Sequence, residues 1–143
     1  MSYLQFHYHP VGTHDTLSRS NIININILQP GLYSYQVTGY SHLFDSNDKQ
    51  IGHVTKNIIA EQVDEGNTLV TETGTFYFDL LGGNINYILS YSYPGPISTN
   101  LYENNSSYFT KVVTGAGALF NKVGNNIAID VESDGQRNVT IQL

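Results

Sequence analysis

The chain has 143 residues, no cysteine, and twelve acidic against six basic side chains, a net charge of −6. The missing cysteine excludes disulfides, thiolate metal sites and cysteine nucleophiles, and leaves the redox compartment open. The bases Arg19, Lys49, Lys56, Lys111, Lys122 and Arg137 are scattered, so no basic patch offers itself to nucleic acid.

A chain of this length fits one domain, residues 1–143, able to bury roughly two-thirds of its unfolded surface without staples. Charged residues make up 13 %, well below the usual quarter. Fifteen Asn and eleven Tyr carry much of the polarity instead, and these types suit strands and turns better than helices. Met1 to His7 has no charged segment followed by a long apolar run. It does not read as a signal peptide, which tips the expectation towards the cytoplasm. No window approaches the roughly eighteen apolar residues of a membrane span.

Tyr3 to His9 alternates, with Tyr3, Gln5, His7 and His9 on one face and Leu4, Phe6 and Tyr8 on the other. Period two predicts a strand, which Pro10-Val11-Gly12 stops. A polar loop from Thr13 to Ser20 leads to Asn21 to Leu28, where Ile23, Ile25 and Ile27 alternate with Asn24, Asn26 and Leu28. That is a second strand, closed by Pro30-Gly31. Leu32 to Phe44 is a long third strand, with Tyr33, Tyr35, Val37, Ser41 and Leu43 facing one way and Gly39 allowing a bend. Asp45 to Lys49 has the composition of a hairpin loop, and Gln50 to Val63 returns. Asp64-Glu65-Gly66-Asn67 turns; it lacks the ligand count of a calcium loop. Thr68 to Asp79 follows, and Leu80-Leu81-Gly82-Gly83-Asn84 reads as a hairpin suited to a primed turn. Ile85 to Tyr93 places Tyr87, Leu89, Tyr91 and Tyr93 on one face, and Pro94-Gly95-Pro96 ends it. Ile97 to Ser107 is polar, with little periodicity.

The stretch Thr114 to Asn125 lies between strand-like runs, Tyr108 to Val113 and Asn126 to Glu132. Its Gly115, Gly117 and Gly124 predict a strand that bends and then enters a tight turn. Ser133-Asp134-Gly135 is the last hairpin, before Gln136 to Leu143. No window has helical apolar spacing. The pattern is a run of eight or nine antiparallel strands, and an eight-stranded barrel removes exposed edges. Such a barrel either fills with side chains or holds one small ligand. A β-sandwich fits the alternation almost as well.

Asp48-Lys49-Gln50-Ile51-Gly52, Gly74-Thr75-Phe76-Tyr77-Phe78-Asp79, Tyr102-Glu103-Asn104 and Val113 to Phe120 resemble, in order and spacing, segments of the allene oxide cyclase barrel family. The likeness runs from about Gly31 to Val131, is carried most specifically by Gly115 to Phe120, and extends loosely to dirigent proteins and spirotetronate cyclases. The resemblance implies an all-β, eight-stranded antiparallel barrel of calycin-like form, forming a homo-dimer or homo-trimer. Its cavity would steer an apolar lipid-, terpenoid- or polyketide-like molecule without metal or organic cofactor. It puts His7 and His9 where the cyclases carry a Glu-x-Asn pair, Ile58 where they carry an interior cysteine, and Tyr102 at the pocket mouth. Two of these three polar features therefore differ from the cyclases. The implied catalytic residues are His7, His9 and Tyr102. The implied ligand-binding residues are Tyr35, Ile58, Phe76, Phe78, Tyr91 and Phe120.

Weighed as residues alone, His7 and His9 point the same way from a strand. Facing solvent or a subunit contact is the commoner fate of such a pair. Acid–base work in a pocket comes second. Metal binding with His14 or His42 comes third, because spacing supplies no third ligand. Glu61 and Glu72 lie inside strands and are expected to alternate outward; an inward carboxyl would be desolvated and suited to acid catalysis. Two functions follow: a ligand-binding barrel, by resemblance an isomerase or cyclase, or a filled barrel acting through its surface loops. A glycan-binding module also fits the Asn and Tyr content.

Overall fold

The computed structural model describes residues 2–10, 19–29, 32–64, 66–94 and 105–143. Nine strands follow one another among the described residues: β1 (Tyr3–Tyr8), β2 (Arg19–Gln29), β3 (Leu32–Phe44), β4 (Gln50–Asp64), β5 (Asn67–Phe78), β6 (Gly83–Pro94), β7 (Ser107–Ala116), β8 (Asn126–Val131) and β9 (Arg137–Gln142). The only helical element among the described residues is a 3-10 turn, Gly117–Leu119. Every strand pairing is antiparallel.

Eight strands close a ring in the order β1-β9-β8-β7-β6-β5-β4-β3, and β3 returns to β1. This is the expected closed antiparallel barrel. The seam between β1 and β3 is a single backbone pair, His7 with Phe44. The ninth strand, β2, pairs with β3 from Leu32 to Tyr40. The long strands β3 to β6 therefore run past the barrel into an arm that β2 widens.

The parity of the strands fixes the core. Phe6, Tyr8, Leu43, Val54, Phe76, Phe78, Ile85, Tyr87, Leu89, Ile127, Ile129, Val139 and Ile141 all point inward and are buried. Phe6 meets Phe76 and Phe78 edge-on, with ring centroids 5.0 and 5.4 Å apart. This part of the barrel is filled with side chains. A second, smaller apolar cluster sits in the arm: Val37, Ile58, Ala60 and Val70, with Tyr35 and Tyr91 packed against it.

The glycine-rich stretch bends as its composition predicts. A Cβ at Gly115 would lie 2.1 Å from the Leu119 carbonyl oxygen, and Gly117 (φ +63°) packs against the backbone of Gly82 and Gly83. Glycine alone fits so close an approach. The tight turn drives Leu119 into the core, where it closes that end of the barrel. The β5–β6 hairpin departs from the primed turn expected of Gly-Gly. Phe78 pairs with Gly83, so four residues form the loop, and Gly82 (φ +60°) donates its N–H to the Phe78 carbonyl at 3.1 Å. Gly83 is spent on close packing against Ala116 rather than on the turn.

The remaining hairpins follow their side chains. Asp45 Oδ1 accepts from the N–H groups of Asn47 and Lys49 at 2.9 and 3.0 Å. Asp64 Oδ1 accepts from the Gly66 N–H at 2.8 Å and the Asn67 amide at 3.1 Å. The Gly66 backbone bond and then the Asn67 amide hold the Asp64 carboxyl below its usual range. It is a turn residue.

Candidate functional site

Inward positions on β4 are Val54, Lys56, Ile58 and Ala60; on β5 they are Val70, Glu72, Gly74, Phe76 and Phe78. Glu72 thus enters the barrel, against the expectation that it alternates outward, while Glu61 does face solvent. The reason is register. Moving Glu72 out by one residue would expel Val70 and Phe76 as well.

The strand ladder sets Lys56 opposite Gly74 and Gly74 opposite Tyr87. Glu72 lies in the next row, opposite Ile58 and Leu89. Because Gly74 has no side chain, the Tyr87 ring lies across it. A Cβ there would sit 2.4 Å from Tyr87 Cε1 and 2.5 Å from its Cζ and hydroxyl. The ring stacks on Phe76 at 4.9 Å and 18°, and its hydroxyl donates to Glu72 Oε2 at 2.5 Å. Lys56 Nζ stands 3.9 Å from Glu72 Oε1. It donates to the Tyr8 hydroxyl at 3.4 Å and lies 5.0 Å from the Tyr8 ring centre. Glu72 and Tyr8 have no exposed surface, and Tyr87 and Lys56 have almost none.

One ammonium, one carboxylate and two phenols therefore form a polar layer between the filled barrel and the arm cluster. Desolvating each ion costs several kcal/mol before pairing, so hydrogen bonds and the opposite charge must hold the layer together. Burial first, and then the Glu72 charge, push the Tyr87 phenol well above its usual value. Tyr87 thus stays protonated as a fixed donor beside a carboxylate acceptor. A neutral phenol, a carboxylate and an ammonium in a low dielectric are the parts needed to move a proton or to stabilise a developing oxyanion.

The residues singled out by sequence fall in several places. Phe6 and Tyr8 point inward, so His7 is on the outside of the barrel, with Nε2 3.1 Å from Asp48 Oδ1 and its ring stacked on Phe44 at 6.0 Å. It borders an outer groove of about 220 Å³ with Gln5, Asn138 and Thr140. His9, just past β1, donates its Nε2 proton to the Asp134 carbonyl at 2.9 Å. His7 therefore braces the loop at Asp48 from outside, and His9, which is buried, braces the loop at Asp134. Among the described residues, no three His, Asp or Glu side chains gather as a metal site. Tyr102 and His14 lie outside the described residues. Tyr35, Ile58 and Tyr91 come together in the arm cluster, and Ile58 stands directly opposite Glu72. Phe76 and Phe78 belong to the filled core, and Phe120 is 70 % exposed.

Lys56, Tyr8 and Gly74 were not recognised as site residues from sequence. The signal was present: Lys56 shares its parity with Val54, Ile58 and Ala60. The general rarity of buried lysine argued the other way.

A closed barrel of eight strands is a scaffold able to hold one small ligand. No helix among the described residues is long and apolar enough to cross a membrane. No protein-family model matches the chain, and no curated protein matches it.

Proposed function

We propose that the chain is a small-molecule-binding barrel whose ligand lies in the arm, against Tyr35, Ile58 and Tyr91, with the Lys56–Glu72–Tyr87–Tyr8 layer as its polar floor. Chemically the reading is an isomerase or cyclase that uses no organic cofactor, acting on an apolar substrate with one polar oxygen. When substrate binds, the Tyr87 hydroxyl turns its single proton from Glu72 to that oxygen, which frees the Glu72 carboxylate to take or return a proton while Lys56 balances the charge. The observation that carries the reading is the polar layer itself. An apolar set of the same volume would fill the barrel at least as stably, and a group as strongly perturbed as the Tyr87 phenol is found most often where chemistry or binding occurs. The resemblance to the allene oxide cyclase family supports the same class of substrate. Leu80, Phe109, Phe120 and Val123, all more than half exposed, are apolar surface that a homo-dimer or homo-trimer would cover.

The test is native mass spectrometry of the freshly purified protein, followed by uptake of fluorescent fatty-acid and terpenoid probes. A bound apolar passenger, or uptake that Ile58→Trp blocks and Tyr87→Phe weakens, is the expected result. No passenger and no uptake, or uptake indifferent to Ile58→Trp, overturns the reading.

A second reading has an observation of its own. The lower barrel is filled with side chains, and a fully filled barrel would act through its outer surface.

A further inference from the structure

The outer face of β4, β5, β6 and β7 carries a groove of about 290 Å³. Outward residues such as Thr55, Thr73, Thr75, Asn86, Ile88 and Val113 wall it, and Lys56, Gly74 and Tyr87, whose side of the sheet also holds the polar layer, border it from beneath. The only charged residue bordering it is Lys56, whose ammonium is on the far side of the sheet in the polar layer, with 3 % of its side chain exposed. In a chain of net charge −6, this groove presents only neutral hydroxyl, amide and alkyl groups.

The polar groups are ordered. Thr75 Oγ1 donates to Asn86 Oδ1 at 2.6 Å, and Asn86 Nδ2 donates to Thr114 Oγ1 at 2.7 Å. The chain has one direction, so it leaves the second Asn86 N–H and the Thr114 hydroxyl proton as donors, while the Thr75 oxygen keeps lone pairs as an acceptor. Donors and acceptors thus alternate within a few ångström, as vicinal hydroxyls require. Ile88 and Val113, each nearly half exposed, offer apolar lips beside them.

Next to the groove stands an aromatic ladder. Tyr40, His53 and Tyr77 stack across β3, β4 and β5, with centroids 5.4 Å and 4.6 Å apart and planes within 26° and 16° of parallel. His53 is two residues from Thr55, and Tyr77 two from Thr75, so the ladder begins about 7 Å from the groove on the same face. The stack fixes the Tyr77 ring at the groove's end, where it is 37 % exposed and opposite Asn84.

We propose that this face binds a neutral glycan, with one pyranose ring in the groove at Thr75 and Asn86, beside Thr114, and the next against Tyr77. A neutral sugar matches the lack of charge, alternating donors and acceptors match its ring hydroxyls, and an aromatic edge beside alkyl lips matches its C–H faces. Lys56, Gly74 and Tyr87 border both sites, but the side chains assigned here to the glycan all lie on the outer face of the sheet.

The experiment is a series of ¹⁵N–¹H correlation spectra of the full chain titrated with maltose, cellobiose, lactose and chitobiose. At least one disaccharide should shift the amides of the outward residues Thr55, Thr73, Thr75, Asn86, Ile88 and Val113 and of Tyr77, with a millimolar dissociation constant. Asn86→Ala and Tyr77→Ala should each weaken that binding about tenfold, while Phe120→Ser leaves it unchanged. Thr75→Val, which keeps the shape and removes the hydroxyl, should weaken it without moving the thermal midpoint. Three outcomes overturn the proposal: no shift with any of the four sugars, shifts confined to residues lining the interior, or groove amides that respond only to protein concentration. The last would assign this face to a second copy of the chain.

Discussion

Gly74→Ala is the sharpest perturbation of the interior site, because it adds one methyl group whose nearest neighbours are all atoms of Tyr87. The new Cβ would meet three Tyr87 atoms at 2.4 to 2.5 Å, far inside contact distance. The ring cannot simply swing aside. It is 1 % exposed, stacked on Phe76, and bonded to Glu72. If the backbone gives way, the cost is that of overpacking, about 1–3 kcal/mol. If the ring moves instead, its bond to a charged partner is lost, about 1.5–3 kcal/mol. Alanine returns about 0.4–1 kcal/mol by restricting the unfolded chain. The expected net loss is about 2 kcal/mol, read as a lower urea midpoint with unchanged slope. Gly66→Ala is the control, since its Cβ meets only Asp64 Oδ1, at 3.6 Å, and should stay within about 0.5 kcal/mol of the parent. Adding Tyr87→Leu to Gly74→Ala should cost less than Tyr87→Leu alone, because the clash is then gone. If Gly74→Ala is as stable as Gly66→Ala, the placement of Tyr87 across Gly74 is wrong.

Three further outcomes follow from the same geometry. Removing one member of the ion pair, as in Lys56→Met, should cost about 3–5 kcal/mol, whereas Lys56→Met with Glu72→Leu should be near neutral or more stable; chemical denaturation of both separates a strained pair from a removable one. Tyr87 should make the protein alkali-sensitive. Above about pH 10 the unfolded phenol releases its proton while the raised folded one keeps it, so stability falls by about 1.4 kcal/mol per pH unit; denaturation across that range should show Tyr87→Phe lacking this part of the slope. Leu119→Ala, which opens the closed end of the barrel, should cost about 2–5 kcal/mol, while Phe120→Ser beside it, already exposed, should change the thermal midpoint by little.

Most of the architecture was legible because period-two alternation is a local signal. Phe6 and Tyr8, Val37 and Leu43, and Leu89 beside Tyr87 all point where their neighbours' alternation sends them. Closure through the single His7–Phe44 pair and the place of β2 on the edge of β3 were not legible. Both depend on pairing between strands distant in sequence, which no local pattern encodes. Gly115 and Gly117 announced a bend, but the backbone they meet, at Leu119 and Gly82, is settled only in three dimensions.

The polar layer was missed for a different reason. For Lys56 and Glu72 two rules compete: charged side chains seldom lie buried, and strand parity sends every second residue inward. Parity is a covalent constraint shared by the whole strand. Turning Glu72 outward by slipping the register would expose Val70, Phe76 and Phe78 together, at about 1.5–3 kcal/mol for each large apolar side chain. That sum exceeds the several kcal/mol needed to desolvate one paired carboxylate, so the strand keeps its register and the charge goes in. The argument extends beyond this chain. A charged residue flanked at two positions on both sides by large apolar residues in a strand, as Lys56 is by Val54 and Ile58, is an inward residue, and its partner should be sought on the adjacent strands. Here that partner is Glu72, and the absent side chain of Gly74 makes room for the tyrosine that completes the set.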